Sequence, residues 1–279
     1  MNINHSEGEF KGEKGLDIYY QSWLPDNPKA IVQIVHGFAE HSDRYENVIN
    51  KLLPAGYGIY ADDHRGHGKS EGKTNYVDSF DQYVEDERKL YSIVKENHPD
   101  LPVFMLGHSM GSGISIYFTH KYEDLLKGLI LSGTGTSAGG EASGFLKFMS
   151  KILSKIAKKL TIDPQLDPET LSHDPEVVKA YKEDPLVHHE QITTRLGYEM
   201  IKRFGNAPEI VKDFNLPVLV QRGTADEAMQ KFEPLKEAFT TDDLTIYEYE
   251  GLYHEIYNEI KEDREKVLND LLNWLNSHL

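Results

Sequence analysis

The chain has 279 residues, of which 39% are hydrophobic and 27% charged, as expected of one large globular domain or of one domain that carries an insertion. Its net charge of −16 disfavours nucleic acid as a partner, because the phosphates would be repelled. The absence of cysteine excludes disulfides and thiolate nucleophiles. With no leader-like pattern at the start and no apolar run near the roughly 18 residues of a membrane span, we expect a cytoplasmic protein.

The first half of the chain predicts strands that alternate with helices. Two short strands are expected around the turn "GEKG" at residues 12–15. Further strands are predicted in apolar runs at 30–37, 56–62, 103–107 and 128–133, and helices at 79–98 and 112–122. Continuous apolar strands that alternate with helices indicate a mostly parallel sheet covered on both faces.

The alternation is interrupted in the second half. Residues 134–206 begin with the Gly- and Ser-rich stretch "GTGTSAGGEASG" and continue with helical segments, which indicates an insertion over the sheet. Strands resume at 217–223 and 244–251, and a helix at 261–277 closes the chain.

A serine lies between two glycines in "VFMLGHSMGS", where a predicted strand meets a predicted helix. In Gly107-x-Ser109-x-Gly111 the turn is so tight that larger side chains at the glycines would clash with the helix and a neighbouring strand. The hydroxyl of Ser109 then projects at the C-terminal edge of the sheet, where a helix N-terminus favours negative charge. The pattern predicts a nucleophile; the alternative is a helix N-cap serine.

A serine nucleophile needs a general base and an acid that orients the base. Asp226 follows the strand at 217–222 and His254 the strand at 244–250, so both are expected at the edge that carries Ser109. Two alternatives stay open: Glu227 as the acid, although it is better explained as a solvated residue at a helix start, and a purely hydrogen-bonded role for His254.

Other histidines compete with His254 for the role of the base. His278 lies in the terminal helix, where we expect it to be exposed. His188 and His189 belong to the insertion, and we do not expect them to reach the sheet edge.

A tetrahedral intermediate also requires donors for its oxyanion. The backbone N–H of Met110, which follows the nucleophile, is one. The second is expected from the loop after an earlier strand, where "HGFAEHSDRY" offers the N–H of Phe38.

The stretch "DDHRGHGKS" at 62–70 could instead hold a metal ion, through Asp62, Asp63, His64 and His67. Because a serine triad needs no metal and the stretch is rich in turn residues, we expect no metal and no cofactor. Asp63, His64 and Arg65 are expected to bond loop backbone beside the site.

These segments, with "GTADEAM" and "GLYHEIYNE", resemble in their order and spacing the monoacylglycerol lipase and lysophospholipase group of α/β-hydrolases. Residues 166–200 are similar to the cap of that group, and the resemblance extends from about residue 8 to the end. It implies the α/β-hydrolase fold, a mostly parallel doubly wound sheet with a helical cap inserted after the sixth core strand. The core would comprise 1–133 and 207–279, and the cap 134–206.

The resemblance also implies roles for individual residues. Ser109 would be the nucleophile, Asp226 the acid and His254 the base, with Phe38 and Met110 as oxyanion donors. The cap would cover an acyl-chain tunnel. Many members of the group have a histidine or small polar residue at the position of Arg222, which here could pair with nearby carboxylates.

The predicted function is a serine carboxylester hydrolase that cleaves single-chain lipid esters, monoacylglycerols first and lysophospholipids second, through an acyl-enzyme. The alternative is a carboxylesterase for small or aromatic esters; a non-catalytic lipid carrier is disfavoured because all three triad residues are present.

Residues 145–160 suggest how lipid could be approached. They predict a helix with one apolar face, comprising Phe145, Phe148, Met149, Ile152, Leu153, Ile156 and Leu160, among lysines. We expect this face to pack over the pocket, with peripheral contact to membranes or lipid aggregates as the alternative.

Overall fold

The computed structural model describes residues 4–138, 144–164, 166–189 and 191–279, with the backbone alone at 138 and 144–149. The strands among them are β1 (Asn4–Lys11), β2 (Asp17–Leu24), β3 (Ala30–Val35), β4 (Tyr57–Asp62), β5 (Val103–His108), β6 (Gly128–Ser132), β7 (Ser137–Ala138), β8 (Thr161–Ile162), β9 (Ile192–Thr193), β10 (Val218–Gly223), β11 (Met229–Gln230) and β12 (Leu244–Tyr249). The α-helices are α1 (Glu46–Leu52), α2 (Asp81–Asn97), α3 (Met110–Tyr122), α4 (Gly144–Ile156), α5 (Pro175–Glu183), α6 (Thr194–Val211), α7 (Glu233–Lys236) and α8 (Lys261–Ser277).

Eight strands form the central sheet in the order β1-β2-β4-β3-β5-β6-β10-β12. The six strands from β4 to β12 are paired in parallel, whereas β1 and β2 form an antiparallel hairpin at one edge. Every residue of β3, β4, β5 and β6 is buried, which explains why these strands are almost continuously apolar.

Helices cover both faces of the sheet, so two hydrophobic cores form. Side chains of α2, α3 and α6 pack on one face, and those of α1 and α8 on the other. Successive residues of β3 alternate between the cores, Ile31 joining the first and Val32 the second. The predicted fold class, an α/β-hydrolase fold with an insertion after the sixth strand of the central sheet, is confirmed.

The insertion follows β6 and contains α4, α5 and most of α6. The helix predicted at 145–160 ends at Ile156, and the residues that follow it bond to the first turn of α6. The amides of Thr194 and Arg195 donate to the carbonyls of Leu160 and Lys158, at 2.8 and 3.3 Å. The predicted end of the insertion, residue 206, lies within α6.

Part of the insertion cannot be compared with its prediction. Residues 139–143 of the predicted entry stretch, and the side chains of Phe145, Phe148 and Met149, lie outside the described residues. Within the described ranges, no helix combines the length and the apolar character needed to cross a membrane.

Candidate active site

Ser109 lies alone between the last residue of β5 and the first residue of α3. Its backbone has φ 52° and ψ −119°, a combination of dihedral angles that residues other than glycine rarely adopt. The Ser109 amide is held at 3.0 Å by the carbonyl of Ser132, which ends the neighbouring strand β6. The Ser109 side chain makes no capping hydrogen bond to α3, so the structure offers no support for the N-cap alternative.

The two flanking glycines are required by close backbone contacts. A methyl group at Gly111 would lie 2.5 Å from the carbonyl oxygen of His36 and closer still to that of Val35. A methyl group at Gly107 would lie 2.7 Å from the carbonyl carbon of Gly111. Any larger residue would therefore push α3 away from β3 and β5, as the sequence pattern predicted.

Asp226 and His254 meet at the same edge of the sheet. They follow β10 and β12, which are parallel neighbours, and His254 Nδ1 donates to Asp226 Oδ2 at 2.8 Å. The other oxygen of Asp226 accepts the backbone amides of Ala228 and Met229, each at 2.9 Å. The carboxylate is thereby fixed in the orientation that directs Nε2 of His254 away from it.

Burial and pairing shift the pKa values of Asp226 and His254 in opposite directions. Burial raises the pKa of Asp226, but the charge and hydrogen bond of His254 and the Met229 amide outweigh burial, so the pKa lies below its ordinary value. Burial lowers the pKa of His254, but Asp226 outweighs burial and holds that pKa above 6.5. The pair therefore favours the imidazolium form, which a general base must reach during reaction.

The His254 ring lies close to the turn of Ser109. Its centroid is 4.8 Å from that of His108, the residue before Ser109. Both rings border Gly133, where an added methyl group would lie 2.9 Å from Cε1 of His254. Among the described residues no hydrogen bond joins Ser109 Oγ to His254; such contacts commonly shorten only when substrate binds.

The competing acid makes other contacts. Glu227 is exposed, and its carbonyl accepts a hydrogen bond from Gln230. Arg222 pairs with Glu248 at 3.2 Å, as its sequence suggested, and its guanidinium covers the ring of Phe232. Asp226 therefore holds His254 without competition from Glu227.

The competing histidines differ in position. His278 is partly buried rather than exposed as predicted, because its ring packs on Trp274, and it contacts Asp243 at the start of β12, the opposite edge of the sheet. The backbone of His188 reaches the loop after β3, since its amide donates to the carbonyl of Ala39 at 3.2 Å. The insertion folds back over the loop after β3, which the sequence did not indicate.

The two amides predicted as oxyanion donors border Ser109. Met110 is the next residue, and the loop that carries Phe38 is so close that a methyl group at Gly37 would lie 3.2 Å from Cβ of Ser109. Neither amide donates a hydrogen bond to another described residue. The Gly37 amide donates to Glu40 Oε1 at 2.6 Å, which fixes the loop.

An ion-pair network beside the site was missed by the sequence analysis. Arg44 donates to Glu40 at 2.9 Å and to both oxygens of Glu255, the neighbour of His254, at 2.8 Å. Burial raises the pKa of Glu255, but Arg44 outweighs burial and lowers it. The spacing of Glu40 and Arg44 offered a weak signal, whereas their approach to Glu255 depends on the tertiary fold.

The insertion closes over this network. The ring of Tyr181 stacks on the Arg44 guanidinium at 4.6 Å, and His41 donates to Asp184 at 2.9 Å. The Glu255 amide donates to the carbonyl of Leu171 at 2.8 Å. The segment around α5 is therefore attached to both the loop after β3 and the loop that carries His254.

The stretch at 62–70 is bonded largely as predicted. Asp63 accepts the backbone amides of Ser42 and Lys69, at 2.9 and 2.8 Å. Arg65 is paired with Asp86, the closer contact being 2.6 Å. The predicted backbone bonding is confirmed for His64 and Arg65 as well, which bond the carbonyls of His36 and Glu13 at 3.0 and 2.9 Å. The surroundings of His64 also include a helix residue that the sequence did not associate with it.

Comparisons with known proteins agree with this architecture. Residues 26–261 match the family model described as serine aminopeptidase, S33. The chain is 37% identical to a monoacylglycerol lipase of Mycolicibacterium smegmatis over 282 aligned positions, covering 100% of both. Among solved structures it resembles a monoacylglycerol lipase of Paleococcus ferrophilus (30% identity, TM-score 0.81, 100% of both chains) and a thermostable carboxyl esterase of Bacillus coagulans (27%, 0.85, 99% of both).

Family, fold and edge geometry therefore point to the same chemistry, the hydrolysis of lipid esters. The chain belongs to the serine aminopeptidase S33 family and is an α/β-hydrolase of the monoacylglycerol lipase type, an ester hydrolase.

Proposed function

We propose that the chain hydrolyses single-chain lipid esters through an acyl-enzyme on Ser109, with His254 as the base and Asp226 as the orienting acid. The observation that carries the proposal is the 2.8 Å bond between His254 Nδ1 and Asp226, at the sheet edge that presents Ser109 on a strained turn. A residue held at positive φ costs free energy, and such strain is concentrated at active sites.

The chemistry follows from these positions. Ser109 Oγ attacks the ester carbonyl while its proton passes to Nε2 of His254, giving a tetrahedral oxyanion. Collapse of the intermediate breaks the bond to the alcohol, which leaves with the proton from His254. Water then attacks the acyl-enzyme, again through His254, and the fatty acid departs as Ser109 regains its proton.

The amides of Phe38 and Met110 would receive the oxyanion. Both adjoin Ser109 and donate to no other described residue, so they are free to act on the substrate. Loss of one such donor costs on the order of 10²–10³ in rate. Glu40 supports this arrangement by fixing the Gly37 amide and, through Arg44, by linking the loop to Glu255 beside the base.

Monoacylglycerols are the proposed substrates. The support is the full-length similarity to the Mycolicibacterium smegmatis protein, which is named a monoacylglycerol lipase. Lysophospholipids are second. A carboxylesterase acting on small or aromatic esters is the alternative, favoured by the similarity to the Bacillus coagulans carboxyl esterase.

The decisive experiment is fatty-acid release from a chain-length series of 1-monoacylglycerols and matching lysophosphatidylcholines, with Ser109→Ala as the control. We expect release that peaks at medium or long monoacyl chains and vanishes in the variant. Release from only the shortest esters would favour the carboxylesterase. Release that persists in Ser109→Ala would refute Ser109 as the nucleophile.

The insertion, residues 134–206, is proposed as the cap that covers the acyl chain and contacts lipid aggregates. From the last residue of α4 onward the chain exposes three apolar side chains, Ile156 (78%), Leu160 (50%) and Ile162 (49%). Exposed lysines at 155, 158 and 159 lie among them, on a chain with a net charge of −16. Apolar side chains among lysines suit an anionic lipid surface. The cytoplasmic location stays a prediction from the sequence.

A further inference from the structure

Three groups that the proposed mechanism does not use meet inside the core beneath the loop after β4. Asp62 is the last residue of β4, His64 follows two positions later, and Glu87 projects from α2. Their exposed fractions are 0%, 1% and 0%. Glu87 brings to the stretch at 62–70 a carboxylate that sequence analysis had no reason to place there.

The hydrogen bonds of His64 define which of its nitrogens carries a proton. Nε2 lies 3.0 Å from the carbonyl oxygen of His36, which can only accept, so Nε2 is the donor. In the neutral ring Nδ1 is then unprotonated and carries a lone pair. It faces Asp62 Oδ1 at 3.2 Å and Glu87 Oε1 at 3.4 Å.

The carboxylate oxygens around His64 Nδ1 lack hydrogen-bond partners within the described part of the chain. Both oxygens of Asp62 and Oε1 of Glu87 are buried without a hydrogen-bond partner among the described residues. The nearby cation does not neutralise them, because Arg65 is paired with Asp86 at 2.6 Å. Carboxylate oxygens that face a histidine nitrogen in a dry interior need a proton or a metal ion between them.

We propose that Asp62, His64 and Glu87 bind one divalent metal ion, with Zn²⁺ as the ion that suits one imidazole and two carboxylates. Ligand atoms about 2.0–2.2 Å from a tetrahedral ion lie roughly 3.3–3.5 Å apart. The contacts of Nδ1, 3.2 and 3.4 Å, match this separation, and all three ligand atoms lie within 4.8 Å of one another.

Two further features match a metal site. A metal-bound histidine usually donates its other N–H to a carbonyl or carboxylate, as Nε2 of His64 does to His36. Gln33 donates to Glu87 Oε2 at 2.6 Å, which orients that carboxylate.

The ion would be structural, because the site is closed to solvent. It would join the end of β4 to α2. Through the two bonds between His64 and His36 it would also stiffen the start of the loop that carries Phe38.

The site can be tested without measuring ester hydrolysis. Because the ligands are buried, the full chain is unfolded in guanidinium with a chelator, desalted, and refolded with Zn²⁺ or with chelator. We expect about one zinc per chain by elemental analysis and a melting temperature roughly 5–10 °C higher with zinc. Wild-type protein that refolds with less than a tenth of an equivalent, and melts equally in both, would overturn the proposal, and protons would then neutralise the cluster.

Variants locate the bound ion. Glu87→Gln keeps the shape of the side chain and should lose the zinc, whereas Glu85→Gln, on the same helix and paired with Lys121, should retain it. Asp62→Asn serves in place of Glu87→Gln where the latter does not fold. Equal zinc content in Glu85→Gln and in a cluster variant would place the ion elsewhere and refute the assignment.

Discussion

The C-terminal edge of the sheet and the end of α4 differ in which side chains they bury. The first buries charged groups, and the second exposes apolar ones. At the sheet edge the charged groups beside Ser109 are largely buried and paired: His254 with Asp226, and Arg44 with Glu40 and Glu255. At the end of α4, Ile156 is 78% exposed although it is apolar. The edge is complete within the chain, whereas the surface after α4 suits a lipid surface outside it.

The two regions correspond to two different requirements of a lipid-ester hydrolase. The chemistry needs groups held in fixed geometry, which buried and mutually satisfied pairs supply. Access to an aggregated substrate needs a surface that gains by leaving water, which exposed apolar side chains supply. Changes at the edge should therefore affect catalysis on every ester, and changes after α4 only catalysis at lipid surfaces.

Removal of the orienting carboxylate should have the largest effect. In Asp226→Asn, the His254 ring loses the acceptor that fixes its tautomer, and we expect kcat to fall roughly 10⁴-fold on soluble and aggregated esters alike. Glu227→Gln, at the exposed neighbour, should change kcat less than about twofold. A comparable loss in both variants would contradict the assignment of Asp226 as the acid.

Gly111→Ala should destabilise the edge as a whole. The added methyl group meets the backbone carbonyls of Val35 and His36, which cannot move without shifting β3. We expect a loss of about 3 kcal/mol in the free energy of unfolding, measured by denaturant titration.

The matched control is Gly205→Ala. A methyl group there meets no atom within 4 Å, and the site lies in α6. Since alanine favours a helix over glycine, a gain of about 0.5–1 kcal/mol is expected. Equal stability of the two variants would show that the turn does not require glycine at 111.

The surface after α4 is tested by Ile156→Ser. We expect about tenfold weaker binding to anionic vesicles, because burial of one such side chain contributes roughly 1.5–3 kcal/mol. Monoacylglycerol hydrolysis in vesicles should fall with binding, while kcat on a soluble short ester stays unchanged.

Ile260→Ser is the control outside the insertion, since Ile260 is also exposed, at 39%. Equal vesicle binding by wild type and Ile156→Ser would leave the face after α4 without a role at lipid surfaces.

The smallest expected effect is a shift in the pH dependence of kcat/KM. In the proposed mechanism His254 must be neutral to accept the proton of Ser109, and its pKa is held above 6.5, chiefly by Asp226 acting against burial. The kcat/KM of the wild type should therefore fall with decreasing pH through a midpoint above 6.5. In Asp226→Asn burial remains while the carboxylate charge is lost, so the midpoint of the residual activity should move to lower pH.

An unchanged midpoint in that variant would mean that Asp226 does not set the pKa of His254. The profile is measured on a soluble ester, so that vesicle binding does not contribute.

Much of the fold could be predicted because it depends on local patterns. The helix at 261–277 was predicted with the bounds that the structure has, since its apolar spacing and its ends are local signals. The helix predicted at 145–160 was too long: α4 ends at Ile156, and the residues beyond it bond to Thr194 and Arg195, which no local pattern reveals. Ile156 and Leu160 were expected to pack inward and are exposed.

By itself, the sequence determined the order of strands and helices, the glycines around Ser109, and Asp226 and His254 as candidates, because each depends on residues near one another in the chain or on a strand end. Only the tertiary structure decided what those residues contact. Arg44 and Glu255 are 211 residues apart, and Glu87 reaches His64 from another element. Such pairs form because burial makes an unpaired charge costly, and the partner that satisfies it is chosen by the packing of the whole chain.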